Sequence, residues 1–335
     1  MDSSKLGNGR DSNRVPLHEV VPLAVPFTIS IGVSDFCNFK CVYCEHSLPN
    51  RKKEDIMISW DDFLYMMENV GGLYDCNNGI KCKNFAVCGV GEPLTHKMLP
   101  QMVEYISANK ISPRIEITTN GSLLTHELSE KLIRGGLTRL LVSIQGTSSI
   151  KYKEVCGYDL DFDRFIDELR YFYENRGFCK VYLKIVDMAL DNEADKERFF
   201  DIFSPVTDML SVERILNGFD GVDYSQMHKD EGYTRYGYEL KERLVCDSLF
   251  MRMNIATNGD VNACACQWPP LVLGNIHKMP LHEIWNGELH RKYMRVHLSG
   301  EKDSIPRCKK CESMSMAGHP MDNLDEHRLE ILSRL

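Results

Sequence analysis

The sequence predicts an α/β fold: a partial (β/α)6 barrel with a small cysteine-rich module behind it. Three observations predict it. Between Phe27 and about Asn217, short apolar runs alternate with helix-length amphipathic segments, the pattern of βα units that build a parallel sheet. Six such units are two short of a closed eight-fold barrel. The distinctive polar and glycine residues stand at the C-terminal ends of the strands, where parallel α/β folds bind their ligands.

Phe27-Thr28-Ile29-Ser30-Ile31 alternates apolar and polar residues and reads as the first strand. It runs directly into a cysteine cluster. Ser59 offers an N-cap hydroxyl to a helix from Trp60 to Val70. The second strand, Asn84 to Val87, ends at Gly89-Val90-Gly91-Glu92-Pro93. A helix from Met98 to Asn109 leads to the strand Arg114 to Thr118 and its end, Thr119-Asn120-Gly121. The helix Thr125 to Arg134 stops at Gly135-Gly136, and Leu140 to Gln145 forms the next strand. The helix Phe162 to Asn175 precedes the strand Lys180 to Val186, and a helix near Asp195 to Phe203 precedes the strand Met209 to Leu216. Gly218 to Lys241 loses periodicity and reads as a linker or substrate loop. The division expected is 1–24 as a disordered leader, 25–240 as the barrel, 241–320 as a separate cysteine module and 321–335 as a C-terminal helix.

The chain has 335 residues, a formal charge of −8 and thirteen cysteines. The acidic balance argues against a nucleic-acid partner, which needs a basic surface. No run of about twenty apolar residues offers a membrane span. Met1 to Arg14 lacks the apolar core of a secretion signal, so a cytoplasmic location is expected. An odd cysteine count in that setting points to metal ligands rather than disulfides. Seven cysteines fall in patterned groups: Cys37, Cys41 and Cys44, then Cys246, Cys264, Cys308 and Cys311. Cys76, Cys82, Cys88, Cys156, Cys179 and Cys266 are scattered, and a buried small hydrophobe is the default for each.

Cys37, Cys41 and Cys44 form C-x3-C-x2-C at the end of a strand. Three thiolates can each hold one iron of a cubane and leave the fourth iron open to a substrate. Zinc competes, but a structural zinc needs a fourth ligand, which Cys88 or His46 could supply. The spacing, with aromatic Tyr43 before the last cysteine, resembles the signature of the radical S-adenosylmethionine (radical SAM) superfamily. The resemblance runs from about Val25 to Asn217 and implies a partial (β/α)6 TIM-type barrel with a [4Fe–4S] cluster. In that family the open iron chelates S-adenosyl-L-methionine. An electron from a donor such as flavodoxin or ferredoxin splits the sulfonium, and a 5′-deoxyadenosyl radical abstracts a substrate hydrogen. By this resemblance Cys37, Cys41 and Cys44 are cluster ligands and Tyr43 lies by the adenine. Val90-Gly91-Glu92-Pro93 is similar to the family's G-G-E-P turn, with Val for the first Gly, which places Gly91 and Glu92 at the methionyl ammonium. Thr119-Asn120-Gly121 resembles the element ending the family's fourth strand, whose polar groups reach the ribose. Ser143 and Gln145, two apart on one strand face, resemble the fifth strand's contacts to the cofactor.

Cys246, Cys264, Cys308 and Cys311 supply the four thiolates that saturate one [4Fe–4S] cluster, though the spacing also suits a four-cysteine zinc site. Between them lie a hairpin, Met253 to Val261 with an Asn-Gly turn, then Gly274-Asn275-Ile276 and Leu281 to Asn286. This succession resembles the SPASM/twitch extension of radical SAM enzymes. The longer SPASM pattern has more cysteines and two auxiliary clusters; four here imply one, and family spacing puts Cys264 ahead of Cys266 as ligand. Relatives with a single four-cysteine cluster include dehydrogenases and epimerases of sugars and aminocyclitols. Peptide-modifying relatives more often carry two clusters and a leader-binding domain, for which the residues before the first strand are too few. A radical SAM oxidoreductase or epimerase acting on a small molecule is therefore expected, with a ribosomal peptide as the alternative substrate. Strand alternation leaves Tyr182 and Lys184 pointing into the barrel. Lys184 can bind a substrate anion or act as base, or else pair internally with Glu116 or Glu213. Cys266, on a segment expected to cover the barrel mouth, is the candidate hydrogen donor to a substrate radical.

Overall fold

The structure is a computed structural model that describes residues 5–7, 14–51, 56–227, 232–264 and 270–335. Six parallel strands occur in chain order: β1 Thr28–Ile31, β2 Asn84–Val87, β3 Ile115–Thr119, β4 Arg139–Ile144, β5 Lys180–Val186 and β6 Met209–Glu213. Each pairs with its predecessor. A short helix α1 (Leu17–Val20) precedes them. Between them run α2 Trp60–Asp75, α3 Leu99–Ala108, α4 His126–Arg134, α5 Ser149–Cys156, α6 Phe162–Asn175 and α7 Glu193–Phe203. Alternation explains the layering. Ile29, Ile31, Phe85, Val87, Ile117, Leu140, Val142 and Leu183 are sealed in the core under the helices. The intervening residues, among them Ser30, Glu116, Ser143 and Lys184, line the concave face.

The cysteine-bearing region does not form a sheet of its own. α8 Ser248–Met251 leads into β7 Arg252–Ile255, which lies parallel to β1 with Thr28 opposite Arg252 and Ile31 opposite Ile255. β8 Asp260–Asn262 and β9 Val272–Asn275 continue antiparallel. One nine-stranded sheet results, ordered β6-β5-β4-β3-β2-β1-β7-β8-β9. The physical reason is the free edge of β1, whose backbone donors and acceptors need a partner. α9 Leu281–Trp285, α10 Glu288–Leu298, α11 Pro306–Lys309, α12 Ser313–Met316 and α13 Arg328–Leu332 complete the chain.

Several expectations are refined. Ser59 caps α2 in a full capping box, accepting from Asp62 N at 3.0 Å while the Asp62 carboxylate accepts from Ser59 N at 3.3 Å. The helix continues through Gly71-Gly72 to Asp75. α5 was not expected; Ser148 caps its start, and Gly157, at φ +63°, turns the chain at its end. Thr119 and Ser143 lie on the third and fourth strands, one earlier than the family numbering implied. Within the presumed leader, Leu17 and Val21 are buried and Arg14 pairs with Asp322 at 2.5 Å, so residues 14–24 pack on the body. In the 321–335 stretch only Arg328–Leu332 is α-helical. No helix of the described residues is long and apolar enough to cross a membrane.

Candidate active site and cluster centres

The loop after β1 is held from several sides. Lys40 N and Val42 N donate to the Cys156 and Val155 carbonyls, both at 2.9 Å, so the last turn of α5 cradles the cysteine loop. Phe39 is buried against Tyr158 and Tyr152, with ring centroids 4.8 and 6.1 Å away. Phe39 N donates to Cys37 Sγ at 3.4 Å. Burial pushes the Cys37 and Cys44 thiols up to about 12, and neighbouring thiol charge adds to it. The Cys156 thiol against Cys41, and then burial, keep Cys41 well above the ordinary range. Three gathered thiols that resist ionisation need a cation to become thiolates, which the irons of a cluster provide. Among the described residues no three His, Cys, Asp or Glu side chains are placed to hold a single metal ion. A cubane takes each thiolate at a separate iron, so its ligands stand wider apart than those of one zinc. Nor do the spare candidates serve a zinc. His46 Nε2 is bonded to the Val90 carbonyl at 3.1 Å, and Cys88 lies among Glu116, Arg252 and Lys184.

The turn after β2 presses on the segment leading to Cys37. Glu92 N donates to the Phe36 carbonyl at 2.7 Å. A Cβ on Gly91 would lie 2.4 Å from Ser34 O and 2.5 Å from Phe36 O, so only glycine permits this approach. The Glu92 side chain is buried. Its Oε1 accepts from Thr119 Oγ1 at 2.5 Å and Leu94 N at 2.9 Å, and its Oε2 from Asn120 N at 2.7 Å. Burial lifts its carboxyl to about 7, against the pull of those three bonds. Asn120 Nδ2 donates to Asn38 Oδ1 at 2.9 Å, and Asn38 Nδ2 to Ser122 Oγ at 2.8 Å. The ends of β2 and β3 and the cysteine loop are thus one hydrogen-bonded unit. Sequence reasoning missed Asn38 and Ser122, although an amide between two cluster cysteines was a signal. Tyr43 Oη donates to Gln145 Oε1, and Gln145 Nε2 to the Ser143 carbonyl at 3.2 Å.

On the concave face, Lys184 Nζ lies 3.4 Å from Glu213 Oε2, and Arg235 Nη2 reaches the same oxygen at 2.6 Å. Tyr182 Oη donates to Glu213 Oε1 at 3.2 Å and lies 2.5 Å from Ser211 Oγ. Burial would raise the Glu213 carboxyl, but Arg235 and Lys184 outweigh it and hold the group below its usual range. Of the two expected partners, Lys184 takes Glu213; Glu116 pairs with Arg139 at 3.5 Å. Arg235 was not foreseen, because it comes from the segment without periodicity.

Cys246, Cys264, Cys308 and Cys311 line a single cavity with Leu249, Ala263, Leu271 and Met314. Burial pushes Cys308 up to about 12 and Cys246 well above its ordinary value, with the neighbouring thiols adding to both. Leu271 N donates to Cys264 Sγ at 3.2 Å, and Asn254 Nδ2 to the Cys264 carbonyl at 2.8 Å, so the hairpin positions this thiol. Cys266 lies outside the described residues. Cys82, Cys156 and Cys179 are buried, whereas Cys76, at the end of α2, is exposed rather than buried. The two cysteine sites are physically tied. Tyr224 Oη donates to the Tyr43 carbonyl at 3.0 Å and accepts from Gly218 N and Phe219 N. Asn217 Nδ2 donates to Glu312 Oε2 at 2.6 Å, and Arg307 Nη1 to Asp220 Oδ2 at 2.7 Å.

Residues 31–201, half of the chain, match the model of the Radical SAM superfamily. The chain belongs to this superfamily. Residues 246–312 match SPASM, an iron–sulfur cluster-binding domain. Its cofactors are accordingly a SAM-binding [4Fe–4S] cluster, an auxiliary cluster and S-adenosyl-L-methionine, and the chain is a radical SAM enzyme rather than a zinc-binding interaction protein. It is 30% identical over 131 residues to the probable GTP 3′,8-cyclase of Methanococcus vannielii, 39% of this chain and 40% of that protein. The chain matches about two fifths to one half of the length of such curated relatives. The fold is shared with BtrN in complex with AdoMet and 2-DOIA, with TM-score 0.58 and 18% identity over 87% of this chain and 95% of that one. It is also shared with Streptococcus suis SuiB bound to S-adenosylmethionine, with TM-score 0.59 and 18% identity over 90% and 74%.

Proposed function

We propose that this radical SAM enzyme abstracts hydrogen from a small polar substrate, a sugar, an aminocyclitol or a similar compound, and completes a dehydrogenation or an epimerisation. The charged concave face carries the reading: Tyr182, Lys184, Ser211, Glu213 and Arg235 form one hydrogen-bonded patch in the barrel. An apolar substrate packed there would desolvate these charges at a cost of several kcal/mol. Hydroxyls, amines and anions would satisfy them instead. In this assignment Cys37, Cys41 and Cys44 hold the SAM-binding cluster, and Cys246, Cys264, Cys308 and Cys311 the auxiliary one. Bound there, the clusters supply the electron that splits the sulfonium and a second electron-transfer site.

The chain's own groups do the rest. Glu92, its carboxylate fixed by Thr119, Leu94 and Asn120, faces the methionyl ammonium, and Gly91 lets its turn pack close against the segment entering the cysteine loop. Tyr43 lies by the adenine, Thr119 and Asn120 by the ribose, and Ser143 and Gln145 hold the cofactor from β4. Lys184, steadied by Glu213, fixes a substrate anion or takes a hydroxyl proton. Cys266 remains the candidate hydrogen donor of an epimerase. A flavodoxin or ferredoxin in the cytoplasm would deliver the first electron. SuiB, solved with its precursor peptide, keeps a peptide as the second substrate class, and the relatives named GTP 3′,8-cyclase add a nucleotide to any panel. The test is anaerobic turnover with dithionite, S-adenosylmethionine and a panel of aminocyclitols, amino sugars, GTP and short peptides. The expected result is 5′-deoxyadenosine with an oxidised or solvent-deuterated cyclitol or sugar. Turnover of peptide or GTP alone overturns the substrate assignment. If deuterium is incorporated, Cys266→Ala should stall it.

A further inference from the structure

Among the described residues, eleven buried side-chain nitrogen and oxygen atoms have no hydrogen-bond partner, and four of them belong to residues gathered at one place. They are His297 Nε2, Arg307 Nε and Nη2, and Ser313 Oγ. All three residues line the cavity shared by Cys246, Cys264, Cys308 and Cys311. A buried donor left unbonded costs about 1–3 kcal/mol, so such a concentration calls for an acceptor. The His297 tautomer is fixed: Cys246 N donates to Nδ1 at 3.3 Å, which puts the ring proton on Nε2. The Leu244 carbonyl also approaches the ring closely enough to favour its protonated form, but not in a geometry that gives Nε2 a well-formed hydrogen bond. Arg307, which lines the cavity, is tethered through Nη1 to Asp220 at 2.7 Å, while its Nε and Nη2 are buried without a partner. Leu249, Ala263, Leu271 and Met314 make much of the wall apolar, so the cysteine sulfurs are the chief acceptors among the residues that line it.

We propose that His297, Arg307 and Ser313 donate hydrogen bonds to the sulfur atoms of the auxiliary cluster and raise its reduction potential. This rests on the reading that the four cysteines hold that cluster. Reduction adds an electron to an already anionic buried group, and N–H and O–H dipoles and a guanidinium charge favour the reduced form. The three are positioning and tuning residues, not catalytic ones. Their consequence is a choice of reaction. When a hydroxyl-bearing substrate radical becomes a carbonyl, it loses one electron and its hydroxyl proton. Held by Cys246, Cys264, Cys308 and Cys311, the auxiliary cluster would be the one-electron acceptor, reoxidised by a flavodoxin or ferredoxin, and a base such as Lys184 would take the proton. Epimerisation needs no such acceptor, so these donors favour dehydrogenation.

The test uses the full chain with Cys37, Cys41 and Cys44 changed to Ala, reconstituted anaerobically, so that the auxiliary cluster alone gives the signal. In deuterated buffer the reduced cluster is expected to show exchangeable deuterons coupled to its spin by electron–nuclear double resonance. His297→Phe and Ser313→Ala should each remove one coupling and move the midpoint potential to more negative values. Arg307→Gln should move it the same way, and His297→Gln, which keeps an N–H, should hold it nearer the parent. Full iron content verifies that the cluster is intact. A cluster signal with no coupled exchangeable deuteron, or midpoints unchanged in all three variants, overturns the donors while leaving the cluster assignment standing. Absence of iron and of any cluster signal in the parent overturns that assignment, and the donors with it.

Discussion

Glu92 is 3% exposed, and its carboxylate accepts three hydrogen bonds, yet desolvation prevails and its carboxyl rises from 4.5 to about 7. Between those values the unfolded chain releases a proton that the cofactor-free folded chain keeps. Stability of the cofactor-free protein is therefore fully present below the lower value and declines as pH rises towards the upper one. A methionyl ammonium reverses the preference, because an opposite charge favours the ionised carboxylate. S-adenosylmethionine affinity should rise as pH passes through about 7. Glu92→Gln should weaken binding roughly ten-fold or more, flatten that rise and leave the iron content unchanged. Isothermal titration at several pH values checks it, and unaltered affinity removes Glu92 from the site. Gly91→Ala is expected to be costly for another reason. Its Cβ would meet backbone oxygens at 2.4 and 2.5 Å, and those atoms belong to the segment entering the cysteine loop. A loss of about 1–3 kcal/mol in thermal unfolding and of iron from the first cluster should follow; normal melting with full iron would show that the loop yields freely. The motif residues were legible because each set is contiguous in sequence. Asn38 was not, since its partners Asn120 and Ser122 lie 82 and 84 residues away.

Elements were legible where periodicity is local and strong: β2, β5 and α6 occupy the expected residues Asn84–Val87, Lys180–Val186 and Phe162–Asn175. α5 escaped because a short helix with Lys151 among its buried residues presents no clear apolar stripe. Its caps, Ser148 and Gly157, were the available signals, and its last turn is what holds Lys40 and Val42. The segment after β6 shows no period because side-chain anchors, not a helix or strand ladder, give it order. Tyr224 is the chief anchor, with two backbone donors and one carbonyl converging on its hydroxyl. Tyr224→Phe strands all three groups and should cost about 2–3 kcal/mol. The stretch should then become sensitive to proteolysis near Gly218, and cofactor binding should loosen through the Tyr43 backbone. Limited proteolysis with and without S-adenosylmethionine reads both effects; an unchanged cleavage pattern and melting temperature would show that the hydroxyl is not the clamp.

At the scale of the whole molecule, the two matched regions, 31–201 and 246–312, read as separable modules, but one sheet runs through both. Nothing in the sequence foretold this, because hydrophobic alternation names a strand and its buried face but not its neighbour. β7 pairs with β1 over the whole of Thr28–Ile31. The junction is reinforced by further bonds: Gly32 N donates to Ile255 O at 2.8 Å, Tyr65 Oη to Ile276 O at 3.0 Å and Trp285 Nε1 to Leu23 O at 2.9 Å. Cutting the chain at 245 would turn β1, now a central strand, into an edge with unpaired backbone groups beside newly exposed core, the arrangement most prone to aggregation. The same strand delivers the chain to Cys37, so its loosening reaches the first cluster directly. A 1–245 fragment is therefore expected to be aggregated or to lack cooperative unfolding, and to bind little iron although all three cysteines of the first group are present. Co-expression with a 246–335 fragment should restore solubility and iron by re-pairing β7 with β1. Size-exclusion chromatography, thermal unfolding and iron analysis of the fragment decide the matter. A monomeric, cooperatively melting 1–245 chain holding about four irons and cleaving S-adenosylmethionine would show that the shared sheet is dispensable.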